Sequence, residues 1–192
     1  MPNGRLSKKK IKSLKIKFRH LKNLSARQDL GTAITQVDDV EQYTRKHNLQ
    51  THGIAETADE DIAENVVKLG KVVNVNISPS DIDICHRMGP WNSSGPKPII
   101  VRFKSHKKTE LYKARKHLKS VSLNQYFHAT NVVYINKNLT YLRRKLFAKV
   151  RKFKKENHWH SVWTLDGKIF IKKSQEEQPK IIHAEGDLTK IS

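Results

Sequence analysis

The 192-residue sequence has one cysteine, Cys85, and only 18 acidic residues. A single thiol cannot close an internal disulfide. It also excludes a cysteine-based zinc finger, which takes at least two thiolates. Long apolar runs are missing. The longest aliphatic run is Ile99-Ile100-Val101, far short of the ~20 residues that cross a bilayer as a helix. Lysine interrupts every apolar stretch near the start, so no secretory segment is expected. Apolar residues make up 36%, against a usual ~45–50% that also counts glycine. A packed core is therefore expected over part of the chain only. No repeat at a solenoid period is visible. Together these absences predict a soluble intracellular protein, cytoplasmic or nuclear, of one or two domains, with no membrane span.

Catalytic chemistry finds little support. No glycine-rich phosphate loop exists, and Ser93-Ser94-Gly95 reads as an ordinary turn. Asp81 and Asp83 fall on one face of a strand, as a metal-dependent nuclease would want, but no third carboxylate stands at a credible position. His158 and His160 form a His-x-His pair without the further ligands that zinc requires. The expectation is a protein that is not an enzyme, with no catalytic residue, no cofactor and no metal.

Positive charge is what the chain has in excess. Lys plus Arg is 38, so the net charge is +20, and the pI is about 10.1. Such a surface calls for a polyanion, nucleic acid first and an anionic membrane surface second. The charge is uneven. Residues 1–30 hold ten Lys/Arg and one acid, residues 38–64 hold eight acids and two bases, and residues 106–158 hold fifteen Lys/Arg against Glu110 and Glu156.

Residues 1–30 form a basic arm. Ile11, Leu14, Phe18 and Leu21 recur at spacings of 3, 4 and 3, the period of a basic amphipathic helix and of a short heptad seam. Ser25 and Gln28 break that seam. A disordered basic tail is the competing reading. Gly31-Thr32 reads as a joint, and residues 31–47 as a helical linker or coiled-coil remnant with a second helix over 33–46.

Residues 48–136 alternate between the two periodicities. Strands are expected near 48–54, 81–88, 98–105 and 132–136. Thr57 and Glu60, at capping-box spacing, open a helix whose inner face is Ile62, Val66, Leu69 and Val73. A second helix runs from 106 to about 119 with Leu111, Ala114 and Leu118 inward. The order β-α-β-β-α-β predicts an α+β domain, two helices on one face of a four-stranded antiparallel sheet, resembling RNA-recognition-motif domains. Those domains stack bases on aromatics of the open face. Here Gln50 and His52 occupy the first strand and the third lacks the aromatic pattern, so stacking on this sheet is not expected.

Residues 137–192 predict a small helix-plus-β-hairpin domain. Thr140 caps a helix to Asn157 with Leu142, Leu146, Val150 and Phe153 inward. Its other faces carry Arg143, Arg144, Lys145, Lys149, Arg151, Lys152, Lys154 and Lys155. Like charges at i, i+4 cost tenths of a kcal/mol each, and a bound polyanion would relieve them. Asp166-Gly167 predicts a hairpin turn, with a short third strand over 180–184. Trp159 and Trp163 share one side of their strand, either as core anchors or as base-stacking rings.

Several segments also carry a family resemblance. Residues 84–89 (Ile-Cys-His-Arg-Met-Gly) and 98–103 (Pro-Ile-Ile-Val-Arg-Phe) form part of it. So do residues 134–140 (Tyr-Ile-Asn-Lys-Asn-Leu-Thr) followed by Arg144, Leu146, Phe147 and Arg151, and residues 163–171 (Trp-Thr-Leu-Asp-Gly-Lys-Ile-Phe-Ile). In this order and spacing they resemble the first-open-reading-frame proteins of LINE-type non-LTR retrotransposons. Baculovirus FP (few-polyhedra) proteins are similar and share the last pattern. The resemblance covers about residues 40–188. It implies a coiled-coil trimerisation stalk, an atypical RNA-recognition domain and a small C-terminal domain. Single-stranded nucleic acid would lie in the cleft between the last two, with chaperone activity and no catalysis. By position, Arg87, Arg102, Arg144 and Arg151 would contact phosphates, with Lys168 and Lys172 on the hairpin. Two departures stand out: the stalk is reduced to a fragment before Val40, and Lys137 replaces a more usual acid.

The sequence thus predicts a sequence-tolerant, chaperone-like binder of single-stranded RNA or DNA. Its expected contacts are Arg87, Arg102, Arg143, Arg144, Lys145, Arg151, Lys155, Lys168 and Lys172, with Trp159 and Trp163 as the stacking candidates, and self-association is expected through the N-terminal helical region. The alternative is an FP-type structural protein acting through protein partners. A third reading, a nuclear architectural protein, would use Lys8-Lys9-Lys10 and residues 151–155 as import signals.

Overall fold

The structure, a computed structural model, describes residues 8–89, 95–119, 123–127 and 132–191. The side chains of Lys8, Lys9, Lys10, Ile11 and Leu14, and the Ser93-Ser94 turn, lie outside the described residues. The chain divides into two compact units, Met1–Glu41 and Gln42–Ser192.

The first unit is one helix, α1 (Lys8–Thr44), whose last residues, 42–44, belong to the second unit. The expected joint at Gly31-Thr32 does not break it. Thr32 and Thr35 turn their hydroxyls back onto the carbonyls of Gln28 and Gly31, at 3.1 and 3.0 Å, so neither side chain competes with helix geometry. One glycine costs a helix only ~1 kcal/mol, which the flanking helix formers offset. Phe18, Leu21, Leu30, Val37 and Val40 stand exposed along it.

In the second unit, β1 (Asn48–His52), β2 (Ile82–Arg87), β3 (Ile99–Phe103) and β4 (Tyr134–Lys137) form an antiparallel sheet in the order β2-β3-β1-β4. Period-two alternation sets its faces. Leu49, Ile99, Val101, Phe103 and Ile135 turn inward and meet Val66 and Leu69 of α2 (Ile62–Val72) and Leu111 of α3 (Lys107–Ala114). Each such aliphatic side chain stabilises the fold by roughly 1.5–3 kcal/mol relative to exposure. Helix α2 starts later than its expected capping box: Asp61, not Thr57, is the N-cap, accepting from the Glu64 amide at 3.0 Å. A short α4 (Asn124–Phe127), not expected from the sequence, adds Leu123 and Phe127 to this core.

β2 departs from simple alternation. A register shift between Ile82 and Ile84 buries the first and exposes the second. Asp81 lies in a 3₁₀ turn (Pro79–Asp81) and accepts from the Ser78 amide and hydroxyl, which hold its carboxyl below the usual range. Asp83 pairs with Arg102. The two carboxylates are therefore committed separately. Among the described residues no group of three or more His, Cys, Asp or Glu could hold a metal ion. Among the same residues no helix is long and apolar enough to cross a membrane.

The remainder is α5 (Tyr141–Glu156) packed on an antiparallel sheet of β5 (Ser161–Leu165), β6 (Lys168–Lys172) and β7 (Lys180–Ile182), followed by α6 (Gly186–Thr189). Val150, Trp159, Ile169, Ile171, Ile182 and Leu188 form its core, with Leu146, Phe147 and Phe153 against it. Leu142, expected inward, is exposed, so the buried stripe of α5 begins one turn later. Asp166 and Gly167 both have positive φ, 47° and 77°, the geometry of a type I′ hairpin turn.

Gly53 ends β1 at φ +90°, and a Cβ there would lie 2.4 Å from the Val132 carbonyl oxygen. Backbone, not a movable side chain, blocks the space. Gly53→Ala is expected to destabilise the second unit by roughly 2–4 kcal/mol, from left-handed strain plus the clash. Denaturant unfolding would measure it, and a loss below ~1 kcal/mol would contradict the tight approach.

Candidate functional site

The two sheets of the second unit meet around one buried amide. Gln42, in the last turn of α1, donates through Nε2 to the Asn138 carbonyl and accepts through Oε1 from the Thr140 amide, each at 3.1 Å. Both ends of the side chain are satisfied, so its burial costs little. Thr140 in turn caps α5, accepting from the Arg143 amide. The hairpin turn packs on the same point. A Cβ on Gly167 would sit 2.4 Å from both Gln42 Cγ and Arg143 Nη1. Lys137 on β4 donates to the Thr164 carbonyl of β5 at 2.6 Å.

A pocket opens beside this junction, lined by Gln42, Arg45, Lys46, Asn48, Lys108, Lys137 and the turn residues Asp166 and Gly167. Among the described lining residues, Arg45, Lys46, Lys108 and Lys137 stand with one carboxylate, Asp166. Arg45 bonds to Asn138 Oδ1 at 3.2 Å, and the Lys108 ammonium donates to the Lys46 carbonyl. Asn48 Oδ1 is buried without a donor among the described residues. Burial pushes the Lys108 amine below its ordinary range, with Asp166 acting in the opposite sense. Burial also lowers Lys137, the Lys108 charge lowers it further, Asp166 opposes and Arg115 adds to the depression. The Tyr112 ring lies beneath both Arg115, at 3.7 Å, and Lys137, at 5.0 Å. Half-buried cations that repel one another gain from an incoming anion, because each becomes easier to keep charged.

The residues singled out from the sequence fall in several places. Arg87 is a clamp within the fold. Its guanidinium meets Glu60 twice at 2.6 Å and donates to the carbonyls of Ile54, Ala55 and Lys97 at 2.7–2.9 Å. Its side chain is 9% exposed, so it has no free face for a phosphate. Arg102 is half-exposed on the sheet face opposite the helices and paired to Asp83 at 2.5 Å. Arg143 sits against the hairpin turn. Arg144, Lys145, Arg151 and Lys155 are exposed along α5. None of those four has a carboxylate partner among the described residues, whereas Lys149 pairs with Glu185 and Lys152 with Glu156. Lys145 lies over Tyr141 at 4.5 Å. Lys168 is exposed at the start of β6, and Lys172 donates to the Gln175 carbonyl at 2.6 Å.

The two tryptophans separate. Trp159 is 5% exposed and meets Phe153 edge-on, 5.6 Å between centroids. It is a core anchor, not a stacking ring, because it precedes β5 and tucks under α5. Trp163 faces the other way, half-buried and stacked on its cross-strand neighbour Phe170 at 5.5 Å and 8°. His158 and His160 are exposed.

The pocket cations Arg45, Lys46 and Lys108 were not singled out from the sequence. Arg45 and Lys46 lie just beyond α1 and Lys108 lies on α3, and only chain folding brings them to Lys137. The one visible signal was Lys137 itself.

No curated protein sequence matches the chain. Residues 140–192, from the cap of α5 to the end, match a family described as baculovirus FP protein domain 2, so the helix and small sheet of the C-terminal part are similar to that domain.

Proposed function

We propose that the chain binds single-stranded nucleic acid with little sequence preference, through its phosphates. The observation that carries this reading is the cluster of half-buried Lys108 and Lys137 with Arg45 and Lys46 around a small, water-sized pocket at the junction, whose rim would meet a phosphate. Exposed Arg144, Lys145, Arg151 and Lys155 on α5 extend the positive surface. The antiparallel sheet order β2-β3-β1-β4, with helices packed on one face, supports the same reading, because the recognition-motif arrangement expected from the sequence is of this kind. Kinship with LINE-type first-open-reading-frame proteins belongs to this proposal, as does chaperone action. A polycation screens strand repulsion, and sequence-tolerant contacts let strands exchange.

The double substitution Lys108→Gln with Lys137→Gln tests it. The amide introduced on β4 keeps a donor for the Thr164 carbonyl. With two phosphates lost at ~0.7 per phosphate, the slope of log affinity against log salt becomes shallower by about 1.4, for every sequence alike. Unchanged affinity and slope would remove the pocket from the interface.

A second reading is favoured by the match over residues 140–192: an FP-type structural protein acting through protein partners. It gains if the purified chain ignores oligonucleotides at low salt.

A further inference from the structure

The junction pocket is too small for the group its rim attracts. It holds about 20 Å³, and one water molecule already needs ~10–15 Å³ of such space. A phosphate, a whole tetrahedron of oxygens, stays at the rim with Arg45, Lys46, Lys108 and Lys137. What fits inside is a single small polar group.

The wall sets the polarity of that group. Several of its polar atoms are already committed. Lys137 donates to the Thr164 carbonyl at 2.6 Å, Lys108 to the Lys46 carbonyl, and Arg45 to Asn138 Oδ1 at 3.2 Å. Both ends of the Gln42 amide are bonded. Asn48 differs. It opens β1 directly after the turn that follows α1, with its backbone amide on the Arg45 carbonyl at 3.0 Å. Its side-chain Oδ1 is buried and lacks a donor among the described residues. A buried acceptor in that state is costly, so it calls for a donor from outside the chain.

We propose that this pocket reads the ribose of single-stranded RNA: one 2′-hydroxyl enters and donates to Asn48 Oδ1, while the adjoining 3′-phosphate rests on the rim cations. The inference rests on the nucleic-acid reading above and names what that reading leaves open, the sugar.

The chemistry narrows the occupant in steps. Asn48 needs a donor, and the four surrounding cations repel an ammonium or a guanidinium. A neutral hydroxyl is not repelled. A phosphate diester carries no proton at neutral pH, so it cannot serve inside. The rim needs an anion, because Lys108 and Lys137 are half-buried and each raises the cost of charging the other. One ligand meets both needs if its hydroxyl and its anion lie within a few bonds of each other. In RNA the 2′-hydroxyl and the 3′-phosphate stand on neighbouring carbons. DNA keeps the phosphate and lacks the hydroxyl. The hydroxyl also accepts, and each lysine ammonium has donors beyond the one spent on a carbonyl. No base enters the pocket, in keeping with weak sequence preference.

The test uses the full chain and three probes of equal length and sequence: oligouridylate, its 2′-deoxy form and its 2′-fluoro form. The parent chain is expected to bind oligouridylate roughly 3- to 10-fold more tightly than the deoxy strand, the worth of one hydrogen bond. The 2′-fluoro strand keeps the sugar pucker of RNA but has no proton to donate, so it should bind like the deoxy strand. That arm needs no variant. Asn48→Ala should lower oligouridylate affinity to the deoxy level, with deoxy affinity and the salt slope as in the parent. Equal affinity of the parent for ribose and deoxyribose strands, as a resident water in the pocket would give, overturns the inference and leaves phosphate binding standing. A preference that survives in Asn48→Ala, or that the 2′-fluoro strand retains, overturns it too. A parent chain that binds none of the three probes overturns it together with the reading it rests on.

Discussion

Raising salt from 50 to 200 mM is expected to weaken oligonucleotide binding about 100-fold. The figure follows from counterion release. If Lys108, Lys137, Arg144, Lys145 and Arg151 each neutralise one phosphate, about five condensed ions leave the strand. At ~0.7 per phosphate the slope of log affinity against log salt is about −3.5, and a fourfold change in salt then costs about two decades. Fluorescence anisotropy with a short oligonucleotide reads it directly. Arg144 and Arg151 are exposed and lack carboxylate partners among the described residues. Replacing both with Ala should therefore spare stability, reduce the slope by about 1.4 and weaken all sequences alike. Loss confined to one sequence would mean base readout by hydrogen bonds. A flat plot would mean that phosphates are not the ligand.

The second large effect concerns Arg87, which the family resemblance places on a phosphate and the fold places inside. Arg87→Ala is expected to lower the stability of the second unit by about 3–5 kcal/mol, the usual cost of removing one partner of a buried ion pair. Glu60, 13% exposed, would keep its charge without a partner. The carbonyls of Ile54, Ala55 and Lys97 would each lose a donor. Denaturant unfolding gives the value. Adding Glu60→Gln should recover part of the loss, because the stranded charge is gone, and a double-mutant cycle would isolate the coupling. If Arg87→Ala cost under ~1 kcal/mol while oligonucleotide affinity collapsed, the clamp would be the wrong description and phosphate binding the right one.

Arg87 also shows how far the sequence carries. Its strand was legible from alternating residues, but its carboxylate and two of its carbonyl partners lie 27 and more positions away, on the β1–α2 connection. The bulge in β2 was illegible for a related reason: alternation of side chains assumes an unbroken ladder, and the register shift between Ile82 and Ile84 is set by pairing with β3. The hairpin turn was legible because Asp-Gly accepts two positive φ values locally. The start of α2 was not, since Thr57 and Asp61 both precede the helix as possible caps and tertiary packing chose Asp61. Asn48 looks unremarkable in sequence. Folding sets it in one pocket wall with Lys108, Lys137 and Asp166, all distant along the chain.

By itself, the sequence determined the charge, the order of the main helices and strands in the second unit and most of their buried stripes, the first turn of α5 and the bulged β2 excepted. Those properties depend on composition and on periods of about 2 and 3.6, which any single stretch of chain carries. Tertiary structure alone decided which cations are spent inside the fold, as Arg87 is, and which gather at one place, as Lys46, Lys108 and Lys137 do. A charge becomes a binding group only through the dielectric and the partners around it, and these are supplied by residues distant along the chain.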